Sequence, residues 1–226
     1  MVDLAVSAVI FALRGDGGDR ASLRLPLVRR VRGPREGSWA LPGGPVDEDE
    51  GLSVAAGRTL RETAGLDPRY LEQLYAFGDV GRSPGRRVVS IVYWALVRSE
   101  EAALATVGEN VRWFPADELP VLAFDHNLIV EYALWRLRTK MEYSRIAYAF
   151  LGETFTVGEL RGVHEAVLGR PLDPANFRRQ VEASDSIVAT GDLVTGGRHR
   201  PPRLYRYTDR VALSDNGPLS DKRAQQ

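Results

Sequence analysis

Residues 44–66 read GPVDEDEGLSVAAGRTLRETAGL, and the reading of this stretch decides the fold of the first half of the chain. Five residues separate Gly44 from Glu50, and seven separate Glu50 from Arg58. Leu60, Glu62, Gly65 and Leu66 follow at fixed intervals. The apolar spacing predicts a helix over about Ser53–Ala64. On that helix residues 59, 62 and 63 stand at i, i+3 and i+4 and therefore share one face. The face offers Thr59, Glu62 and Thr63, which together carry a single negative charge.

Around this helix, Asp3–Leu13, Ala21–Arg30, Arg86–Arg98 and Asn110–Phe114 read as strands, parted by Gly- and Pro-rich runs such as Arg14–Asp19 and Gly81–Gly85. Val88, Val89, Ile91, Val92, Tyr93 and Trp94 make a nearly unbroken β-branched and aromatic run, as a strand buried on both faces would. An α+β arrangement with a mixed sheet follows. A length of 226 residues favours two domains over one. The absence of cysteine removes disulfide frameworks, thiolate zinc sites and cysteine nucleophiles together. The apolar stretch Leu4–Leu13 is too short to span a bilayer and has no basic residue before it, so neither a membrane partner nor a signal peptide is expected. The expected location is the cytoplasm.

With its spacing set out, the 44–66 stretch resembles the Nudix box, G-x5-E-x7-R-E-U-x-E-E-x-G-U with U aliphatic. Gly44, Glu50, Arg58, Leu60, Glu62, Gly65 and Leu66 match, and the preceding Trp39, Ala40, Leu41, Pro42 and Gly43 resemble the usual entry to the box. Thr59 and Thr63 stand where the family has glutamates. The resemblance implies a pyrophosphate-binding fold in which three carboxylates on one helix face hold divalent cations. Magnesium prefers anionic oxygen ligands, so one carboxylate in place of three points to binding without efficient cleavage. No catalytic residue, no metal ligand and no required cofactor are therefore assigned. The ligand-site candidates are Arg29, Arg30, Trp39, Gly43, Gly44, Glu62, Arg86 and Arg87; Arg32, Arg35 and Arg82 lie on the same flanking segments. Glu50 and Arg58 read as an ion pair holding loop to helix.

From Asn127 onward the pattern changes to successive helices. Leu128, Ile129, Tyr132, Ala133 and Leu137 follow helical spacing, giving a linker helix over about 127–140. Ile146, Ala147, Phe150 and Leu151 make a second apolar face. Thr156 and Glu159 form a capping-box pair ahead of Leu160, Val163, Val167 and Leu168, with Gly169 as the stop. Asp173 and Pro174 start a further helix with Phe177 and Val181 on one side. Ser186–Thr190 and Arg203–Thr208 then read as a hairpin. Helices followed by a two-stranded hairpin describe a winged helix-turn-helix, whose second helix enters the major groove of DNA while the wing follows the backbone. Net charge is zero, yet Leu193–Thr208 holds four arginines and a histidine with no acid. The DNA-contact candidates are Asn176, Arg178, Arg179 and Gln180 on the helix, and Arg198, His199, Arg200 and Arg203 on the wing. His164, among apolar neighbours, reads as packed.

The two halves together resemble the NrtR family, Nudix-related transcriptional regulators of NAD metabolism. Beyond the box, the resemblance rests on Leu122-Ala123-Phe124-Asp125-His126-Asn127 and on the Phe155–Val181 segment with Leu168, Gly169, Arg170, Asn176, Phe177, Arg178 and Arg179. It implies a homodimeric repressor of NAD biosynthesis or salvage genes, a palindromic double-stranded operator, and ADP-ribose or a related nucleotide as effector. The expected division is a Nudix-like sensing domain over 1–124, a winged helix domain over 125–212 and a polar tail over 213–226. Two other readings stay open: an active ADP-ribose pyrophosphatase with an appended DNA-binding domain, and a regulator whose Nudix half is only a dimerisation scaffold.

Overall fold

The computed structural model describes residues 2–15, 21–66, 68, 70–103, 105, 109–143, 146–194 and 201–208. The chain forms two compact units, 1–14 with 23–137 and 15–22 with 138–226.

The first unit is built on a mixed sheet. Its centre is β1 (Asp3–Gly15), in which every residue from Val6 to Leu13 is buried. β1 runs parallel to β6 (Val88–Val97), with Asp3 opposite Val88 and Ala12 opposite Val97. β6 is the strand expected from the aromatic and β-branched run. β5 (Tyr70–Phe77) pairs antiparallel with β6 at one edge. On the other side lie β2 (Ala21–Arg29) and β3 (Trp39–Ala40), while β7 (Val111–Pro115) also pairs with β2 and β4 (Gly43–Pro45) with β1. β1, β2, β6 and β7 lie where the sequence pattern predicts strands, whereas β3, β4, β5 and a short helix, α2 (Ser99–Ala103), are found in addition. β5 escapes the pattern because Glu72 and Gln73 interrupt its apolar residues and a register shift between Gln73 and Tyr75 breaks its alternation.

α1 (Leu52–Ala64) lies where the box spacing put it. Gly65 ends it at φ 63°, with its N–H turned back to the carbonyls of Leu60 and Arg61, a left-handed cap that favours glycine. Leu60 and Ala64 pack with Ala8, Ile10, Ala95 and Val97, and Ala55 and Ala56 with Val6 and Tyr93. α3 (His126–Tyr143) buries Ile129, Ala133 and Leu137, and the chain passes from the first unit to the second between Leu137 and Arg138.

The second unit holds a 3-10 turn at Ile146–Phe150, α4 (Val157–Leu168), α5 (Pro174–Glu182), β8 (Ile187–Leu193) and β9 (Arg203–Tyr207). Both expected caps are present. Thr156 accepts from the Glu159 N–H while Glu159 reaches back to the Thr156 N–H, and Asp173 accepts from the Asn176 N–H with Pro174 at the helix start. Phe155 and Tyr205 exchange backbone hydrogen bonds of 2.9 and 2.8 Å, which adds a single bridge to the β8–β9 hairpin. Phe155, Leu160, Val163, Val167, Phe177, Val181, Tyr205 and Tyr207 are buried. This is a winged helix. The polar tail and the wing candidates Arg198, His199 and Arg200 lie outside the described residues.

Candidate ligand loop and nucleic-acid interface

Arg58 organises the box. Its Nε and Nη2 donate to the two Glu50 carboxylate oxygens at 2.9 and 2.7 Å, Nη2 also reaches the Pro45 carbonyl at 3.4 Å, and Nη1 meets Glu62 at 3.4 Å. The bidentate bond holds the Glu50 carboxyl below the usual carboxylate range. Glu50 and Arg58 thus tie the loop to α1, as their spacing implied. Glu62 is exposed, Thr59 is buried, and the Thr63 hydroxyl donates to the Thr59 carbonyl. Among the described residues no three His, Cys, Asp or Glu side chains gather as a metal-binding group.

The chain entering the box is a strand segment pressed against β1. A Cβ at Gly43 would sit 2.6 Å from the Val6 carbonyl oxygen and 3.2 Å from the Ser7 hydroxyl, so only glycine fits, whereas Gly44 faces open space. Trp39, half-buried, meets Phe114 edge-on at 5.1 Å and stands opposite Arg29 in the β2–β3 pairing. Arg29 donates to the Gly37 carbonyl at 3.2 Å; Arg30 donates to the Pro34 carbonyl at 2.9 Å and lies 4.9 Å over the Phe124 ring. Arg29, Arg30 and Trp39 therefore cluster at one hairpin. Arg86 and Arg87 stand apart from them at the start of β6: Arg86 pairs with Asp3 at 2.7 Å, and Arg87 donates to the carbonyls of Gly78 and Asp79. They share the first residues of β1 with Gly43 and Gly44, because Asp3 pairs with Val88 and Ser7 with Gly43.

Arg82, Asp125 and His126 play a part that no spacing in the sequence announces. Arg82 donates to both Asp125 oxygens at 2.8 and 2.7 Å, with the two side chains only 6% and 19% exposed. His126 is buried, and its Nδ1 accepts from the Leu41 N–H at 3.0 Å. Asn127 accepts from the Leu122 N–H at 2.8 Å and donates to the Pro120 carbonyl at 3.0 Å. A separation of 43 residues between Arg82 and Asp125 leaves no spacing signal. The hint was an ionisable pair, Asp125-His126, inside the linker segment.

In the second unit, Phe177 and Val181 anchor α5, and Asn176, Arg178, Arg179 and Gln180 are all exposed. Arg179 donates to the Asn176 side chain, and Arg178 pairs with Glu182 at 3.3 Å. Arg203 is exposed at the start of β9. His164 packs edge-on against Phe177 at 5.2 Å, which agrees with its reading as a packed residue.

Burial lowers the pKa of both histidines from 6.5 to about 4; at His126 the Arg82 and Arg30 charges push the same way and Asp125 opposes them. A depressed histidine pKa means the unfolded chain binds the proton first. Stability is fully present above pH 6.5 and falls as pH drops towards 4. The His126 share is about 3 kcal/mol across that window. Urea midpoints are expected to fall between pH 7 and pH 4.5, with a smaller fall in His126→Asn; a midpoint that stays flat would show that the imidazoles are hydrated.

A pyrophosphate-box fold joined to a winged helix defines a Nudix-type regulator. The NUDIX domain model matches residues 3–133, and the NrtR DNA-binding winged helix domain model matches residues 147–207. The ADPR responsive transcriptional repressor NtrR of Acinetobacter baylyi is 32% identical over 211 residues, which covers 91% of this chain and 80% of the relative. NrtR of Shewanella oneidensis, solved with a 27mer DNA, is 37% identical with TM-score 0.74 and covers 90% of this chain and 93% of that one. Its NUDIX domain solved with ADP ribose is 36% identical with TM-score 0.51, over 61% of this chain and 89% of that one. An ADP-ribose pyrophosphatase of Methanocaldococcus jannaschii is 32% identical over 126 residues, 55% of this chain and 75% of the relative. The chain belongs to the NrtR family. Among the described residues no helix is long and apolar enough to cross a membrane.

Proposed function

We propose that this chain represses NAD biosynthesis or salvage genes by binding a palindromic operator as a homodimer, and that its Nudix unit senses ADP-ribose or a related nucleotide. The observation that carries the reading is the exposed face of α5, where Asn176, Arg178, Arg179 and Gln180 are exposed on a helix capped at its start by Asp173. All four carry donors suited to phosphates or purine edges. The wing is its second contact, through Arg203 together with Arg198, His199 and Arg200. The nucleotide site takes Arg29, Arg30 and Trp39 from the hairpin, Gly43 and Gly44 from the box entry, Glu62 from α1, and Arg86 and Arg87 from the start of β6. In function the sensing part is taken as 1–124 and the DNA-reading part as 125–212, while in packing α3 belongs to the first unit as far as Leu137.

The same site is a poor hydrolase. Its candidate cation ligands are one exposed carboxylate shared with Arg58 and two threonine hydroxyls, one buried and one bonded to a backbone carbonyl. That donor set does not fit the divalent cations of an active box. The pyrophosphatase reading draws on the Methanocaldococcus relative, which covers just over half of the chain. With magnesium, AMP release from ADP-ribose is expected to stay below about one turnover per minute; turnover of several per second, abolished by Glu62→Gln, would establish the hydrolase instead.

The test of the regulator is a gel shift with upstream DNA of NAD-pathway genes, with and without ADP-ribose. A shifted band whose intensity responds to ADP-ribose is expected. No shift with any such fragment would overturn the reading.

A further inference from the structure

Three consecutive residues, Phe124, Asp125 and His126, each hold a different segment of the first unit. Phe124 lies under the Arg30 guanidinium of the β2–β3 hairpin, Asp125 binds Arg82 of the β5–β6 loop, and His126 accepts from Leu41 at the entry to the box. These segments carry the nucleotide-site residues proposed above, and His126 is the first residue of α3, along which the chain enters the second unit.

The Leu41 contact is unusual in kind. Trp39 and Leu122 form a parallel bridge, with the Ala123 N–H donating to the Trp39 carbonyl at 2.8 Å. In a continued parallel ladder the Leu41 N–H would donate to the Ala123 carbonyl. The chain turns away at Phe124, which has φ 57°, and that carbonyl accepts the His126 N–H at 3.2 Å. The imidazole Nδ1 takes the vacated place. A buried N–H left without an acceptor is costly, so this bond ties Leu41, the residue after β3, to the first residue of α3.

We infer that the Phe124-Asp125-His126 turn couples the nucleotide site to α3, with His126 as the positioning residue whose Nδ1 ties the box entry to the helix. The inference rests on the sensor reading above and adds the route. Coupling between two ligands is the ratio of operator Kd with saturating ADP-ribose to that without, and it is independent of either affinity alone. In His126→Phe, which keeps a ring and removes the acceptor, the ratio is expected to fall to within about twofold of one, against the roughly 5- to 150-fold usual for such coupling. His126→Asn offers a side-chain oxygen at nearly the same place and is expected to keep at least half of the wild-type effect on a logarithmic scale.

An unchanged ratio in His126→Phe overturns the inference, as does equal loss in His126→Asn. Hydrogen exchange of the Leu41 amide in the wild-type protein decides the matter even if His126→Phe does not fold or ADP-ribose has no effect. Its protection is expected to change at least tenfold when operator DNA binds, and an unchanged rate overturns the proposal. An operator complex indifferent to bound ADP-ribose would instead sink the sensor reading, so the two failures are distinguishable.

Discussion

The Arg178→Ala, Arg179→Ala double variant is expected to bind operator DNA about a hundredfold more weakly than the wild type, at roughly 1–3 kcal/mol for each well-placed contact. Arg178 and Arg179 are exposed on α5, and their loss removes no buried contact. Alanine is a strong helix former, so the melting temperature is expected to change little. The two arginines are not equivalent. Arg178 has a partner in Glu182 at 3.3 Å, while Arg179, in the last turn of α5, reaches back to the Asn176 side chain in the first turn, the part that reaches base edges in a winged helix. Arg179→Ala alone is therefore expected to cause most of the loss and to relax sequence preference. Arg178→Ala is expected to weaken binding to all sequences alike and to lower the slope of log K against log salt by about one. Nucleotide affinity is expected to be unchanged in both. If calorimetry shows operator and nucleotide binding lost in equal measure, the two sites are not separable and the assignment of α5 fails.

Elements whose signal is local are legible in the sequence, and elements made by distant pairings are not. α1, α4 and α5 were legible because their information lies within a few residues: a box spacing, a capping box at Thr156 and Glu159, and an N-cap followed by proline at Asp173 and Pro174. β1 and β6 were legible as apolar runs too strong to sit at a surface. β3 and β4 were not, because strands of two and three residues built around Trp39 and Gly43 exist only through their pairing with β2 and β1. The site divides in the same way. Glu50 and Arg58 sit eight residues apart across one loop, and their pairing could be read. Arg82 and Asp125 meet only because separate turns bring them together, and the ionisable Asp125-His126 pair in the linker marks the place without naming the partner. The arginines proposed for the ligand site fall between these cases. Their abundance near the box was visible, but that Arg30 would settle on Phe124 and Arg86 on Asp3 was decided by the fold.

Asp125→Leu is expected to destabilise the protein by about 3–5 kcal/mol, since removing one partner leaves the other as an uncompensated buried charge. The Arg82 side chain is 6% exposed and both of its bonds to Asp125 are charge-assisted, so little water is available to replace them. For a unit of this size the loss corresponds to a fall of roughly 10 °C or more in the melting temperature. The effect separates two accounts of the pair. If the pair supplies net stability, an Arg82→Met, Asp125→Leu double variant is as unstable as Asp125→Leu. If the pair mainly fixes geometry, the double variant recovers most of the loss, because two packed apolar side chains need no desolvation of charge. Recovery is the expected result. The Asp125 carboxylate opposes the Arg82 and Arg30 charges at His126, and in the double variant both it and the Arg82 charge are gone together. The Leu41 bond to His126 therefore survives in the double variant, and stability returns while the loop carrying Arg82 is released from the start of α3. A single variant that costs less than about 1 kcal/mol would mean that the Arg82 guanidinium reaches water on its own, and the pair would lose its claim to hold that turn in place.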